Sequence, residues 1–269
     1  MQEMIELIHN EWVDVATWAT DDAIKNCMSK EAIGFWQENA ITGVLLSSLE
    51  QIGTDIAWKG KSLRTTWKAL KLSVPTETKF GDIAINVRLW VNEQQFIDGV
   101  AFYEAKRQYF KNGMPVGFRS IKEGQLGIIA KNTGASNALL YDHVVTDQGP
   151  RGIAATLSAP ILELLESDAK SATTSRDIYR RSRHWAEALG ENLIGRGLDF
   201  SENAVSTMAK IVASKTPPNF VVNVAVSFLD ELVPQLNPIF DSKYKHLTQS
   251  NKPAPSSKPN DNDSGFQPS

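Results

Sequence analysis

Apolar and other side chains alternate between Asp82 and Val91. Ile83, Ile85, Val87, Leu89 and Val91 fall on one face, and Asp82, Ala84, Asn86, Arg88 and Trp90 on the other. That period of two predicts a half-buried strand. Asn92 to Gln95 is polar enough to turn, and Phe96 to Lys106 resumes an apolar run that predicts a second strand lying back beside the first. Leu63 to Val74 predicts a strand leading into these two, as the first of a meander. Ala138 to Val145 predicts one after them, parallel to a neighbour because a helix intervenes. Helical spacing of apolar residues predicts helices over Met1 to Trp18 and Ser29 to Gln51, and a further helix is expected at Ile121 to Lys131. After the GPRG turn at Gly149 the pattern is mainly helical, with helices at Pro160 to Glu166, Thr174 to Leu193 and Ser201 to Ser214. Phe220 to Val233 fits a strand or a buried helix.

These elements predict an α/β protein. Residues 1–149 form a core, 150–248 a mainly helical region, and 249–269 a tail too poor in apolar residues to repay the entropy of ordering. With 42% hydrophobic and 22% charged residues, the 269-residue chain has the make-up of a soluble globular protein. Cys27 is the single cysteine, so no internal disulfide forms and a reducing compartment fits. No signal-peptide pattern and no apolar run of about 18 residues is present, so a cytoplasmic protein with no membrane partner is expected. A net charge of -3 excludes a surface coated in positive charge and leaves any nucleic-acid contact to local clusters. There is no Walker loop, zinc-type cysteine cluster or Gly-x-Ser-x-Gly elbow, which removes support for ATP hydrolysis, a zinc finger and α/β-hydrolase chemistry.

The candidate chemistry lies on the two central strands. Asp82 opens the first; Glu104 and Lys106 share one face at the end of the second while Ala105 points away. Acids on adjacent strands with a lysine two residues on suit Mg²⁺, which takes one or two carboxylates and completes its shell with water and substrate phosphate. Phe102, Tyr103 and Ala105 surround Glu104, and an acid in so apolar a segment is costly to bury without a partner or a cation.

A helix bearing Glu38, then Asp82, Glu104-Ala105-Lys106, a helix and a further strand follow one another in an order that resembles the PD-(D/E)xK nuclease superfamily, with its restriction-endonuclease-like fold. The resemblance covers roughly the first half of the chain, and Gly81 stands where the proline of the name would be. It implies a restriction-endonuclease-like core with a mixed central sheet flanked by helices, and Mg²⁺-dependent hydrolysis of DNA phosphodiesters, with Mn²⁺ as a substitute. Asp82, Glu104 and the Ala105 carbonyl would hold the metal, Lys106 would act on the water and Glu38 would support from its helix.

Gln108 would touch the substrate or end the sheet, and Gln125 would face the site, although Ile129 replaces the tyrosine that accompanies such a glutamine in the exonuclease branch. Arg88 on the polar strand face, Lys68 in a lysine and tryptophan stretch, and Arg176, Arg180 and Arg183 at helical spacing are further candidate phosphate contacts. Two strands of a duplex need two sites, which implies a homodimer or larger assembly. The resemblance suits restriction, repair or antiviral defence, with a regulatory protein partner on the C-terminal half. The competing readings are a catalytically silent DNA-binding or assembly module, and a nuclease for RNA or branched DNA.

Overall fold

The computed structural model describes residues 4–31, 34–73, 81–118, 127, 130–131, 133–162, 176–229 and 232–247. A ten-stranded mixed sheet forms the centre. Its strands in chain order are β1 (Ile5–Leu7), β2 (Asp55–Trp58), β3 (Leu63–Leu72), β4 (Ile83–Trp90), β5 (Phe96–Arg107), β8 (Ser136–Thr146), β9 (Gly149–Ser158), β10 (Arg183–His184), β11 (Phe220–Ser227) and β12 (Tyr244–His246). Two short strands, β6 (Tyr109–Lys111) and β7 (Met114–Gly117), make a separate hairpin. The helices are α1 (His9–Ser29), α2 (Glu38–Glu50), α3 (Trp185–Leu193) and α4 (Glu202–Ala213).

The alternation in β4 does what its period predicts. Ile83, Ile85 and Val87 pack into the larger core with α1, α2 and α3, and Ala84 turns to the other face, under α4. Both faces are covered, so even the polar-side residue Asn86 is buried. The larger core takes Trp12, Trp36, Trp67 and Trp185, each almost completely out of solvent; truncating one to alanine would cost about 3–5 kcal/mol. On the second face Ala204, Met208 and Ile211 of α4 meet Phe102 and Val221. Helix α1 lies so close to β9 that a Cβ on Gly152 would stand 2.3 Å from the Asp21 carbonyl oxygen.

The structure departs from the sequence reading at several elements. The expected meander of three neighbouring strands is interrupted, because β11 lies between β3 and β4, antiparallel to one and parallel to the other. All eight residues of β11 are buried, which explains an apolar run without alternation: a strand covered on both faces has no polar side. The C-terminal half is mixed rather than mainly helical, since β9 to β12 accompany α3 and α4 among the described residues. The sheet continues through position 149, where β8 and β9 form a hairpin.

The first helix starts at His9, after Ile5–Leu7 has paired as a strand with β2. Its start is marked by Glu11, which accepts a hydrogen bond from the Ile8 N–H at 3.1 Å. The second begins at Glu38, past Gly34 at φ 85°. The region expected as one helix over 174–193 contains a 3-10 turn (Arg176–Arg181), β10 and α3. Helix α4 matches its expected span, with the Ser201 side chain accepting from the Ala204 N–H. Gln125 and most of the expected helices at 121–131 and 160–166 lie outside the described residues, as does the tail. Among the described residues no helix is long and apolar enough to cross a membrane.

Candidate metal and catalytic site

The site forms where β4 begins and β5 ends. Asp82 is fixed by its main chain on both sides: its N–H donates to the Tyr103 carbonyl at 2.9 Å, and its carbonyl accepts from Phe220 N–H at 3.0 Å. Its side chain reaches along β5, where Oδ2 accepts the Ala105 N–H at 2.9 Å. Gly81 before it has φ 92°, which a proline ring cannot adopt, so glycine stands here for a backbone reason.

Glu104 and Lys106 share the face of β5 that carries Phe102, and the Lys106 ammonium donates to Glu104 Oε1. They are 1% and 7% exposed, so this is a buried charge cluster rather than a solvated strand face. The Asp82 carboxyl is pushed up to about 7, first by burial and then by the Glu104 charge; Lys106 and the Ala105 N–H pull against the rise and Glu38 adds to it.

Glu38 approaches from α2. The Trp36 indole N–H donates to the Gln108 carbonyl at 2.9 Å and ties the start of α2 to the end of β5. The Thr42 hydroxyl donates to the Glu38 carbonyl at 2.8 Å, which leaves the Tyr141 hydroxyl, also 2.8 Å away, as donor to Thr42. Burial raises the Tyr141 pKa, and the Asp82 and Glu38 charges raise it further, so that hydroxyl keeps its proton. Arg107, one residue past Lys106, places its Nε 3.7 Å from Glu38 Oε2. The sequence reading passed over Arg107; its position, turned to the α2 side of the strand immediately after Glu-x-Lys, was the available signal.

The donor set matches a hard divalent cation in kind. Asp82 and Glu104 supply carboxylate oxygens. Ala105 lies past the last β4–β5 pair, Ile83 with Tyr103, so its carbonyl leaves the strand on the side where its N–H meets Asp82. Two carboxylates and a main-chain carbonyl leave the rest of an octahedral shell to water and substrate, as Mg²⁺ prefers. Among the described residues no group of three or more His, Cys, Asp or Glu side chains is arranged to hold a metal.

The candidate substrate contacts fall into different places. Arg88 lies six residues along β4 from Asp82, roughly 20 Å away, and is held by Asp98 at 2.9 and 3.0 Å. Lys68 is exposed on β3, three strands across and four positions along from Glu104, on the order of 20 Å away. Gln108 is buried, and with its amide turned end for end its oxygen accepts from the Val116 and Gly117 N–H groups at 3.1 and 2.7 Å, which pins the β6–β7 hairpin to the end of β5.

Arg176 is committed to Asp142, with bonds of 2.8 and 3.2 Å, and the Tyr179 hydroxyl donates to the same carboxylate at 2.8 Å. Asp142 lies two residues beyond Leu140, the β8 residue level with Lys106, so this group borders the site. Arg180 is exposed on the 3-10 turn. Arg183 on β10 is near enough to the Tyr103 hydroxyl to oppose the rise that burial causes there, on the face of β5 away from Glu104.

No protein family model, curated protein or solved structure matches the chain.

Proposed function

We propose that the chain is a divalent-metal-dependent nuclease that hydrolyses DNA phosphodiester bonds at Asp82, Glu104 and Lys106. The observation that carries the reading is the buried acidic pair at the end of β5, where Asp82 and Glu104 lie beside Lys106 and burial, then the Glu104 charge, pushes the Asp82 carboxyl up to about 7. Bound Mg²⁺ would relieve that repulsion, polarise the phosphoryl group and lower the pKa of the attacking water.

The chain's own groups do the rest. Asp82 and Glu104 would hold the cation together with the Ala105 carbonyl. Lys106, fixed by Glu104, orients the water and bears on its proton. Glu38 adds negative charge from α2, steadied by Arg107. The buried surroundings strengthen each of these interactions relative to water. A duplex needs one such site per strand, so a homodimer belongs to the same reading, as does the role of a restriction or defence effector awaiting an activating partner.

The test is supercoiled plasmid incubated with the purified protein in Mg²⁺, in Mn²⁺ and in chelator, beside Lys106→Ala. Metal-dependent nicking that disappears in the variant is expected. Full cleavage by Lys106→Ala, or cleavage in chelator, would remove these residues from the chemistry. Metal-insensitive DNA binding without product would favour a silent nuclease fold.

A further inference from the structure

The sheet ends at β9 and β10, and a pocket of about 340 Å³ opens there that the nuclease reading makes no use of. The two residues of β10 pair only with Ala155 and Thr156, so among the described residues β9 runs on to Ser158 at an open edge. Thr156 and Ser158 are two apart and share a face. Arg183 pairs with Thr156 and Asn137 with Ser158, which puts all four side chains on that face, level with Tyr103 and opposite to Glu104 and Lys106. Arg181 and Ser182, at the end of the 3-10 turn, close the pocket from the side.

The pocket is cationic. Arg181 and Arg183 both line it, neither forms an ion pair among the described residues, and no described acid is among the residues that line it. Two of its hydroxyls serve the scaffold: Thr156 donates to the Ala138 carbonyl at 2.8 Å and Ser182 to the Tyr179 carbonyl at 3.0 Å. The second of these bonds, with Tyr179 and Arg176 both holding Asp142, fixes the turn that presents Arg181. The Ser158 hydroxyl and the Asn137 amide remain to donate, the amide with one N–H only weakly engaged, 3.4 Å from the Ala135 carbonyl.

Guanidinium forks suit the oxygens of either a carboxylate or a phosphate, so the charge count decides between them. A phosphomonoester carries about -1.5 to -2 charges near neutral pH and three acceptor oxygens. A carboxylate or a phosphodiester carries a single charge and leaves one arginine unmatched. The volume falls at the lower end of the range for small-molecule sites, about 300 to 1,000 Å³, which leaves room for a small organic body beyond the phosphate. We propose that the pocket at the β9–β10 edge binds a small phosphomonoester, with Arg181 and Arg183 on the phosphate and Asn137 and Ser158 donating to its oxygens. The site is separate from Asp82 and Glu104, and its occupancy requires neither metal nor cleavage, so it stands or falls apart from the nuclease reading.

The test is isothermal titration calorimetry of the full chain with adenosine monophosphate, cyclic adenosine monophosphate and adenosine, in chelator so that no cation can hold a phosphate at the Asp82–Glu104 site. Saturable binding of adenosine monophosphate is expected, at least about tenfold tighter than that of the singly charged cyclic ester, with inorganic phosphate competing and adenosine too weak to detect. The double variant Arg181→Gln/Arg183→Gln should lose at least about tenfold in affinity and each single variant severalfold. Lys210→Gln, on α4 across the sheet, should match the wild type.

Equal affinity for adenosine monophosphate in the double variant and the wild type would overturn the proposal, as would no saturable binding of it or of inorganic phosphate by the wild type. Equal affinity for all three ligands would also overturn it, because the pocket would then not be reading the phosphate. Both arginines are exposed, so replacing them leaves the core untouched. The wild type's ranking of the ligands tests the charge match without any variant.

Discussion

The β4–β5 pair carries charged side chains at both ends, and the two ends treat them differently. At the hairpin end Arg88 faces Asp98 across the register, in a two-bond pair at 2.9 and 3.0 Å, with the Phe96 ring 3.7 Å from the guanidinium carbon. One cation meets one anion, and the planar fork satisfies both carboxylate oxygens. At the other end Asp82 and Glu104 share Lys106, Glu38 adds its field, and the Asp82 carboxyl rises to about 7. The residue types are nearly the same. The Arg88–Asp98 end joins two strands; the Asp82–Glu104 end gathers buried acids, the kind of perturbed cluster that a functional site uses.

Mutations at the two ends should therefore separate activity from stability. Asp82→Ala or Glu104→Ala should lower metal-dependent cleavage at least about 10³-fold, and Lys106→Ala about 10²- to 10⁴-fold, as measured by initial rates on plasmid. Asp98→Ala should leave that rate within about twofold and instead cost roughly 2 kcal/mol in urea denaturation, because Arg88 stays half-buried without its partner. A rate loss in Asp98→Ala equal to that in Glu104→Ala would break the comparison.

Asp142 sharpens it, since this carboxylate is fully buried yet balanced by Arg176 and the Tyr179 hydroxyl, and it lies beside the site. Asp142→Ala should destabilise the chain by about 3 kcal/mol, with Mg²⁺ producing the same thermal shift in variant and wild type. A lost Mg²⁺ shift at unchanged stability would move Asp142 into the metal site.

The smallest effect is expected at Asp199, an acid answered by neutral donors. Burial works to raise its pKa, but the Ser201 and Gly134 N–H groups and the Ser201 and Thr133 hydroxyls outweigh it, and the carboxyl titrates below its usual 3.8. A lowered folded pKa adds stability that is present above the unfolded value and is lost as pH falls through the folded one. Asp199→Asn should cost about 1 kcal/mol near neutral pH, and its gap from the wild type in urea denaturation should close as pH falls below 3.8. A gap independent of pH would show that the carboxylate charge plays no part.

Local pattern made part of this legible beforehand. The alternation from Ile83 to Leu89 gave β4, and Glu104 with Lys106 two apart gave their shared face, because both follow from the period of an extended chain. Asp98 opposite Arg88 was also within reach, since a short hairpin fixes its own register. Pairings between distant segments were not legible. Nothing near Phe220 signals that its strand inserts between β3 and β4, and nothing near Arg176 names Asp142, because each partner is fixed only by the assembled sheet. Gln108 reads as touching the substrate or ending the sheet, and with its amide turned end for end it closes the hairpin that follows it. The glycine at 81 reads as a departure in letters and becomes intelligible once its φ of 92° is known.

The most direct measurement is Mn²⁺ uptake by metal-free protein, followed by electron paramagnetic resonance of the free ion, for the wild type, Asp98→Asn, Asp82→Asn and Glu104→Gln. One site per chain in the wild type and Asp98→Asn, lost in Asp82→Asn and Glu104→Gln, is the predicted result. Equal uptake by all four would contradict the claim that the Asp82–Glu104 end of the β4–β5 pair is where the cation binds.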